Sequence, residues 1–516
     1  MRYTSVFRQK IIAMPKFKGA NMITYFLLFL PVILLYRPYA DSNTFLHINE
    51  GRHIISYGTT AVDPFILHTD LRYPMQNWLS SVIFYKTFSV GQFFVTYLTI
   101  LLTYFYITVV LHKLIVLLSE KNIKTIYIIT MFCNICLGIT AKTTSQVFSI
   151  AIIVTAIFCL EKAIRTGDKR FLYILPLLSV LLINLDATQW VLFLILLIPY
   201  IIDGLNIKNY RTYEFLTQHM RILIPSGYGA SAIMFFGIIS FLCGCINPFG
   251  LSGVNYALKS YAITGVSGFD AKMHAPDFST NTGIALFMFY TVVIFTYIAV
   301  RTKSRLRYML MAAGSAYLGL VSVDNVPIFI VCTLPFIAFH IKDIMPVNRR
   351  KVVVKKAGRS VAAIFMSLLV VAFIVFNYNN YVIEVQGRNS PVAMVQFIKA
   401  NSLGNMRLFN EYSTGGYLEY HGIKPFIDAQ MQKFYKKLNG KEDIISDYSG
   451  LYSGTISIKQ LFEKYDLNYA LVENNSIPNM QMKFDDDFSI IQQDDEFSLY
   501  RFTPQFNEQN DTGFEQ

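Results

Sequence analysis

Long apolar runs alternate with short polar segments along the first 380 residues of this chain. A helix needs roughly 20 mostly apolar residues to cross the hydrocarbon core of a bilayer. Eleven runs approach that length, and we predict that each forms a membrane-spanning helix: 22–37, 92–118, 125–141, 147–162, 171–185, 188–203, 226–246, 283–300, 307–323, 325–341 and 359–379. The pattern therefore predicts an all-α polytopic membrane domain of about 11 helices over residues 1–379.

The pattern changes after residue 380 to one typical of a soluble α/β domain. Strands are predicted at MRLFN, KPFID, NYALVE, FSIIQQ and FSLYRF, and helices at SPVAMVQFIKAN and TISIKQLFEKYD. Gly415 and Gly416 are predicted to lie in a turn, with a phosphate-binding loop as the alternative. We therefore expect residues 380–516 to form a small C-terminal α/β domain.

Composition and charge agree with this division. The 516 residues are 53% hydrophobic and 15% charged, which is typical of a polytopic membrane protein. The net charge of +12 arises before residue 381, where 33 basic residues face 14 acidic ones; the rest of the chain has 12 basic and 19 acidic residues. Cytoplasmic membrane loops produce such a basic excess, so no nucleic-acid partner is predicted.

Lysine and arginine also predict the orientation, because they concentrate in cytoplasmic loops. With the N-terminus in the cytoplasm and the spans alternating, cytoplasmic segments hold 26 Lys and Arg, against seven on the outer side up to residue 358. This predicts a multi-pass cell-membrane protein with outer loops at 38–91 and 247–282. The tail from residue 380 is then extracytoplasmic.

The outer side is rich in acidic groups, and ionisable residues near the membrane often mark a site. Eight acidic residues lie there before residue 380: Asp41, Glu50, Asp63, Asp70, Asp186, Asp270, Asp277 and Asp324. Three of them, Asp41, Asp186 and Asp324, lie directly at span ends and are predicted to be functional. We interpret Glu50, Asp70 and Asp270 as solvated. The spacing of apolar residues after Asp41 predicts a helix in this loop, and residues 77–88 are predicted to form a short helix at the membrane interface.

Several short motifs follow one another in a definite order along the chain. The first outer loop contains Asp41, His47, Gly51, Ile54, Gly58, Asp63, Pro64 and Phe65, followed by Trp78 and Leu79. Further along are NPFGL at 247–251, HAPDF at 274–278, which includes Asp277, and FNEYSTGGYLEYHGIKPFIDAQ at 409–430. Together they resemble a poorly characterised branch of the bacterial GT-C-type membrane glycosyltransferases. The resemblance implies a GT-C-like membrane domain.

The chain also departs from the pattern of that branch. Asn43 replaces the second carboxylate of its D-x-D motif, and Asp186 stands where a histidine is frequent. Lys272 aligns with a position that often holds glutamate, and Asp324 with one that often holds arginine. We interpret these last two as a reversed ion pair.

The resemblance implies transfer of a sugar from a polyprenyl-phosphate donor to an acceptor hydroxyl on the outer face of the membrane. The acceptor would be a glycan, a lipid or a protein, and the transfer is expected to be inverting. Asp41 is the candidate general base. His47 is a candidate for binding phosphate or acceptor, and Arg52 and Lys272 for binding the phosphate. The further candidates for substrate binding are Asp63, Asp186, Asp277 and Asp324. A divalent metal is possible, with Asp186 as a replacement ligand for the missing carboxylate.

Three other functions stay open at this point. A polysaccharide polymerase would also transfer sugars and have long outer loops. A catalytically inactive relative would serve as a structural subunit. A proton-coupled transporter or flippase would use paired acidic residues, but no internal sequence repeat supports it.

Overall fold

A computed structural model describes residues 22–119, 123–205, 222–223, 229–264, 276–299, 303–344, 390–403 and 406–504. The chain divides into two compact units. Unit 1 comprises Met1–Pro38 and Phe94–Tyr378, and unit 2 comprises Tyr39–Phe93 and Asn379–Gln516. The first outer loop was predicted to belong with the membrane domain, whereas the structure groups it with the C-terminal part.

Helices dominate the chain up to residue 344. They are α1 Met22–Leu35, α2 Ser42–Tyr57, α3 Trp78–Leu118, α4 Ile123–Thr140, α5 Gln146–Thr166, α6 Ile174–Leu185, α7 Ala187–Gly204, α8 Ala230–Cys243, α9 Gly250–Thr264, α10 Asn281–Ala299, α11 Leu306–Val321 and α12 Val326–Ile344. Short 3₁₀ turns occupy Lys169–Tyr173 and Val323–Asn325. Two-residue strands, β1 Ile222–Leu223 and β2 Ser304–Arg305, pair in parallel.

Five helical segments in the described part of the chain are long and apolar enough to cross a membrane, at Trp78–Leu118, Gln146–Thr166, Ala187–Gly204, Asn281–Ala299 and Val323–His340. Shorter apolar helices lie at Met22–Leu35, Ile126–Thr140, Ala230–Cys243 and Leu306–Val321. Every predicted run except 359–379 overlaps a helix, and that run lies outside the described residues. These apolar helices support a membrane location, while the count of eleven spans stays a prediction.

The helix α3 changes direction where the sequence predicted a break. A short helix was expected at 77–88 and a span at 92–118. The structure joins them, with non-helical backbone angles at Gly91 and Gln92. Gln92 has a φ of 52°, a left-handed conformation that is uncommon for a residue with a side chain. The boundary between the two units follows directly, after Phe93.

Buried polar contacts join helices within unit 1. The Arg307 guanidinium on α11 binds Glu161 on α5 through Nε and Asp203 on α7 through Nη1, at 2.8 and 2.7 Å. All three side chains are almost completely buried. Glu161 and Asp203 lie near the C-terminal ends of α5 and α7, and Arg307 lies near the N-terminal end of α11, so the contacts join these three helix ends. The side of the membrane that these ends face stays a prediction.

Unit 2 contains a four-stranded sheet with the order β3-β4-β6-β5. Its strands are β3 Leu408–Asn410, β4 Tyr469–Glu473, β5 Phe488–Gln493 and β6 Phe497–Phe502; β3 and β4 are parallel and the other pairs antiparallel. Its helices after residue 390 are α13 Val392–Ala400, α14 Tyr412–Tyr420, α15 Lys436–Asn439, α16 Ile444–Ser453, α17 Ile458–Tyr465 and α18 Ile477–Lys483, with a 3₁₀ turn at Met431–Phe434.

The core of unit 2 includes the helix from the first outer loop. Phe45 of α2 packs in one apolar cluster with Met394, Leu418, Leu471 and Leu499. These residues come from two helices and two strands of the C-terminal part. Burial of their apolar surface therefore fixes α2 within this unit.

Two local predictions differ from the structure, and one helix was not predicted. KPFID is not a strand, and its only ladder contact is an isolated bridge between Pro425 and Leu408. Gly415 and Gly416 lie inside α14 rather than in a turn, because close neighbours leave no room for side chains there. Helix α9 lies within the long outer loop, where Asn247 hydrogen-bonds the turn that precedes it.

Candidate functional site

Asp41 is the N-cap residue of α2. Its Oδ1 accepts hydrogen bonds from the backbone N–H and the Oγ1 of Thr44, both at 2.8 Å, and the Thr44 side chain in turn accepts from the Asp41 N–H. This capping box fixes the carboxylate at the start of the helix, where the positive end of the helix dipole also stabilises its charge. The Asp41 residue is partly exposed.

The tail motif packs against the residue that follows Asp41. The backbone N–H of Gly416 donates to Ser42 Oγ at 2.8 Å, and a Cβ on Gly416 would overlap the Ser42 carbonyl oxygen. A Cβ on Gly415 would likewise overlap the backbone of Ile427 and Asp428. The first-loop, Gly-Gly and Phe-Ile-Asp motifs are therefore in direct contact within unit 2.

A buried charged cluster lies in the same unit and consists of Glu50, Asp63, Glu419, Asp428 and Lys433. None of these residues is more than 5% exposed. The Lys433 ammonium forms ion pairs with both Asp63 and Asp428, so one cation is shared by two carboxylates. The Glu50 carboxylate accepts a hydrogen bond from Ser81 at 2.9 Å.

The electrostatics of this cluster follow from burial. Burial raises the pKa of Glu50 to about 7, although Lys433 and Ser81 oppose the shift. Burial and then the neighbouring Asp428 raise the pKa of Glu419 well above its usual range. Burial opposes the Lys433 charge, but Asp428 and Asp63 outweigh it and raise the pKa. The cluster is thus a charged core of unit 2.

His47 and Asp63 were predicted to bind substrate, but both are buried in protein contacts. His47 is 3% exposed; its Nδ1 lies 2.9 Å from Ser81 Oγ, and burial lowers its pKa to about 4. Asp63 is 5% exposed, pairs with Lys433 and accepts a bond from the Phe65 N–H. These buried contacts stabilise unit 2. Because both side chains are buried and bonded to protein groups, neither is accessible to a substrate.

Arg52 is exposed but lies far along α2 from the candidate base. Eleven residues separate it from Asp41, which is about 16 Å at 1.5 Å per residue. Arg52 Nη2 donates to Asn49 Oδ1 at 2.6 Å and to the Tyr420 carbonyl at 3.3 Å. Arg52 and Asp41 therefore do not bind the same phosphate group.

Two candidate residues lie in unit 1. Asp186 caps α7, accepting from the Gln189 N–H at 3.2 Å and from Ser149 Oγ at 2.8 Å. Asp324 Oδ1 lies 2.6 Å from Lys142 Nζ, and both side chains are partly exposed. Asp324 thus has a basic partner other than the predicted Lys272, which lies outside the described residues.

The remaining candidates add little to a site. Asp277 is exposed and hydrogen-bonds the backbone and hydroxyl of Ser279, each at 2.8 Å, as in an ordinary turn. Within the ranges that the structure describes, no three His, Cys, Asp or Glu side chains are arranged to hold a metal ion. Asp186 is bound to Ser149 and Gln189 there, so we assign no step to a metal.

Several residues that form charged contacts in the structure were not predicted from the sequence to do so. Glu50 was interpreted as solvated, which is wrong because it is 2% exposed; Asp70 is exposed as predicted, and Asp270 lies outside the described residues. Lys433, Glu419 and Lys142 were not singled out. Lys433 and Asp63 are 370 positions apart, and no local pattern links residues at that separation.

Comparison with known proteins finds similarity among solved structures but not among sequences. No protein-family model matches the chain, and no curated protein matches its sequence. Among solved structures, the chain is similar to ArnT from Cupriavidus metallidurans bound to undecaprenyl phosphate. The alignment covers 93% of this chain and 98% of that chain at 11% identity, with a TM-score of 0.37. A TM-score this low does not establish a common fold.

Proposed function

We propose that this protein is a membrane glycosyltransferase that moves a sugar from a polyprenyl-phosphate donor to an acceptor hydroxyl, with Asp41 as general base. The observation that carries the proposal is that motifs resembling those of the glycosyltransferase branch, in the first outer loop and in the tail, contact one another. Ser42, Gly416 and Asp428, which are distant in sequence, lie in one packed assembly at the start of α2. Asp41 is the partly exposed carboxylate at this point.

In the proposed reaction, the Asp41 carboxylate takes the proton of the acceptor hydroxyl. The hydroxyl oxygen forms a bond to the anomeric carbon of the sugar, and the bond from that carbon to the phosphate oxygen breaks. Polyprenyl phosphate leaves with the electron pair, and the configuration inverts. A positioned general base contributes about 10²–10⁴-fold to such a step.

The capping geometry suits Asp41 for this role. Both Thr44 contacts reach Oδ1, and the partly exposed residue is held by a rigid helix terminus. Sites on regular elements hold reacting groups more accurately than sites on loops. His47 and Asp63 take no part in the proposed chemistry, since their buried contacts instead support the helix that carries Asp41.

Reconstitution of the full chain tests the proposal. Purified protein in liposomes is given a panel of polyprenyl-phosphate sugars and glycan, lipid or peptide acceptors, and released polyprenyl phosphate is measured. We expect release with at least one donor, and only when a matching acceptor is present. A transporter or an inactive relative would release none with any combination, and that result would contradict the proposal.

A further inference from the structure

Three basic side chains from different helices of unit 2 lie close together. They are Arg52 of α2, Lys399 in the last turn of α13 and His421 at the end of α14. Lys399 Nζ lies 3.2 Å from His421 Nδ1. Arg52 contacts the Tyr420 carbonyl oxygen at 3.3 Å, and its guanidinium lies 5.5 Å from the Tyr420 ring centre.

This basic cluster has no acidic partner among the described residues. No ion pair there joins Arg52, Lys399 or His421 to a carboxylate. Arg52 and Lys399 are exposed, while His421 is partly buried. Converging positive charge without a counterion is unfavourable, and a bound anion removes that cost.

The donors of the cluster suit a phosphate group. Lysine donates to the Nδ1 atom of His421, which leaves Nε2 of the neutral imidazole as the protonated donor. The Asn49 amide, whose oxygen accepts from Arg52, is 4% exposed, and its Nδ2 has no hydrogen-bond partner. Guanidinium, ammonium and imidazole donors in one place match the acceptor oxygens of phosphate.

The placement at helix ends explains these residues only in part. Lysine and histidine are favourable near helix C-termini, where carbonyl groups carry partial negative charge. That effect accounts for Lys399 and His421 separately. Arg52, from a third helix, also contacts this end of α14 through the Tyr420 carbonyl, but that carbonyl is neutral and does not balance three positive side chains.

We propose that Arg52, Lys399 and His421 form a phosphate-binding site on unit 2, distinct from the chemistry at Asp41. The site takes a phosphate monoester or diester, supplied either by a membrane lipid headgroup or by a soluble phosphorylated molecule. It does not depend on the transferase proposal, because the cluster binds its anion whether or not a sugar is transferred.

A bound phosphate has a specific effect on His421. The groups acting on this imidazole are Lys399 from α13 and Arg52 from α2, and the rings of Tyr417 and Tyr420 on its own helix pack against it. Burial, then Lys399 and Arg52, lower the pKa of His421. An anion between these groups favours the imidazolium, in which Nδ1 is protonated and the Lys399 ammonium turns from Nδ1 to the anion. Binding of the anion therefore raises the pKa of His421 and strengthens as pH falls.

The test uses full-length protein with ¹³C-labelled histidine, and the His421 resonance is assigned by its loss in His421→Gln. In phosphatidylcholine nanodiscs, inorganic phosphate is titrated while the pKa of His421 is followed. A second arm replaces part of the phosphatidylcholine by phosphatidylglycerol and adds no soluble phosphate. A rise in the first arm identifies a soluble phosphate ligand, and a rise confined to the second arm identifies a lipid headgroup.

Variants separate the site from general charge effects. Arg52→Gln and Lys399→Gln each weaken binding of the effective probe by about tenfold, since each removes a charged donor. Lys483→Gln, which removes an exposed positive charge elsewhere on unit 2, leaves binding unchanged. The proposal is overturned if neither probe raises the pKa of His421, or if Lys483→Gln weakens binding as much as Arg52→Gln.

Discussion

Individual side chains in unit 2 divide into two groups according to burial. His47, Glu50 and Asp63 are buried and bound to other protein groups, whereas Asp41 and Arg52 remain accessible. The same short stretch of sequence thus supplies both the charged core and the candidate chemistry. Buried charges are costly unless they are paired and hydrogen-bonded, which explains why the buried group forms a connected cluster.

Glu50 gives a pH-dependent prediction for the stability of unit 2. Its pKa is about 7 in the folded protein, against the ordinary value of 4.5. Between these pH values the folded state retains a proton that the unfolded state has lost, so the free energy of unfolding falls as pH rises. The loss across the window is roughly 3 kcal/mol. The glutamine in Glu50→Gln does not titrate. As pH rises through this window, the free energy of unfolding of the variant therefore rises by that amount relative to the wild type.

The measurement uses the two tryptophans of the chain, Trp78 and Trp190. In a Trp190→Phe background, the fluorescence of Trp78 reports on unit 2 during denaturation of the full chain in detergent. His47, whose pKa is lowered to about 4, has the opposite pH dependence, but it is present in both proteins and cancels in the difference. A difference between wild type and Glu50→Gln that does not change with pH would refute the prediction.

Sequence predicted the accessible residues of this region better than the buried ones. Asp41 lies at a boundary between an apolar run and a polar one, which is a local signal. Glu50 lies only nine positions further on, but it is buried, and the charges that act on its carboxyl are those of Lys433, Asp63 and Asp428. Such long-range partners have no signature in the local pattern, so Glu50 was interpreted as solvated.

At the scale of elements, the contact between α2 and α14 joins the first outer loop to the C-terminal part. Periodicity predicted α2 because Phe45 and Ile48 recur at helical spacing, and both are buried. The glycine pair of α14 was interpreted as a turn because glycine usually interrupts helices. The structure gives a different reason for these glycines, since the backbone at Ser42 approaches Gly416 too closely for any side chain.

Gly416→Ala tests this helix contact. The added methyl group would overlap the Ser42 carbonyl oxygen, and relief of such overpacking costs about 1–3 kcal/mol. Hydrogen exchange measured by mass spectrometry should therefore become faster in peptides covering 42–57 and 412–420. The matched control is Gly314→Ala, a helical glycine with no atom near the added Cβ, which should leave both peptides unchanged. Equal exchange in the two variants would show that α2 and α14 do not pack as described.

At the scale of the whole molecule, apolar periodicity predicted the helical content well, and every predicted run within the described residues overlaps a helix. It did not predict how the chain divides. Apolar runs reveal where helices lie in the sequence, but the grouping of Tyr39–Phe93 with the C-terminal part depends on contacts across more than 300 residues. Helix α9 was missed because its sequence is less apolar than the spans around it.

One carboxylate, that of Asp41, takes the proton in the proposed reaction, so the most direct measurement compares polyprenyl phosphate release by wild type and Asp41→Asn. Asn keeps the size and capping capacity of Asp41 but cannot accept the proton, so we expect release at least about a hundredfold slower with donor affinity unchanged. Asp168→Asn, at a partly exposed aspartate that caps the 3₁₀ turn Lys169–Tyr173, serves as the control and should retain the wild-type rate. Equal rates for wild type and Asp41→Asn would show that Asp41 is not the general base.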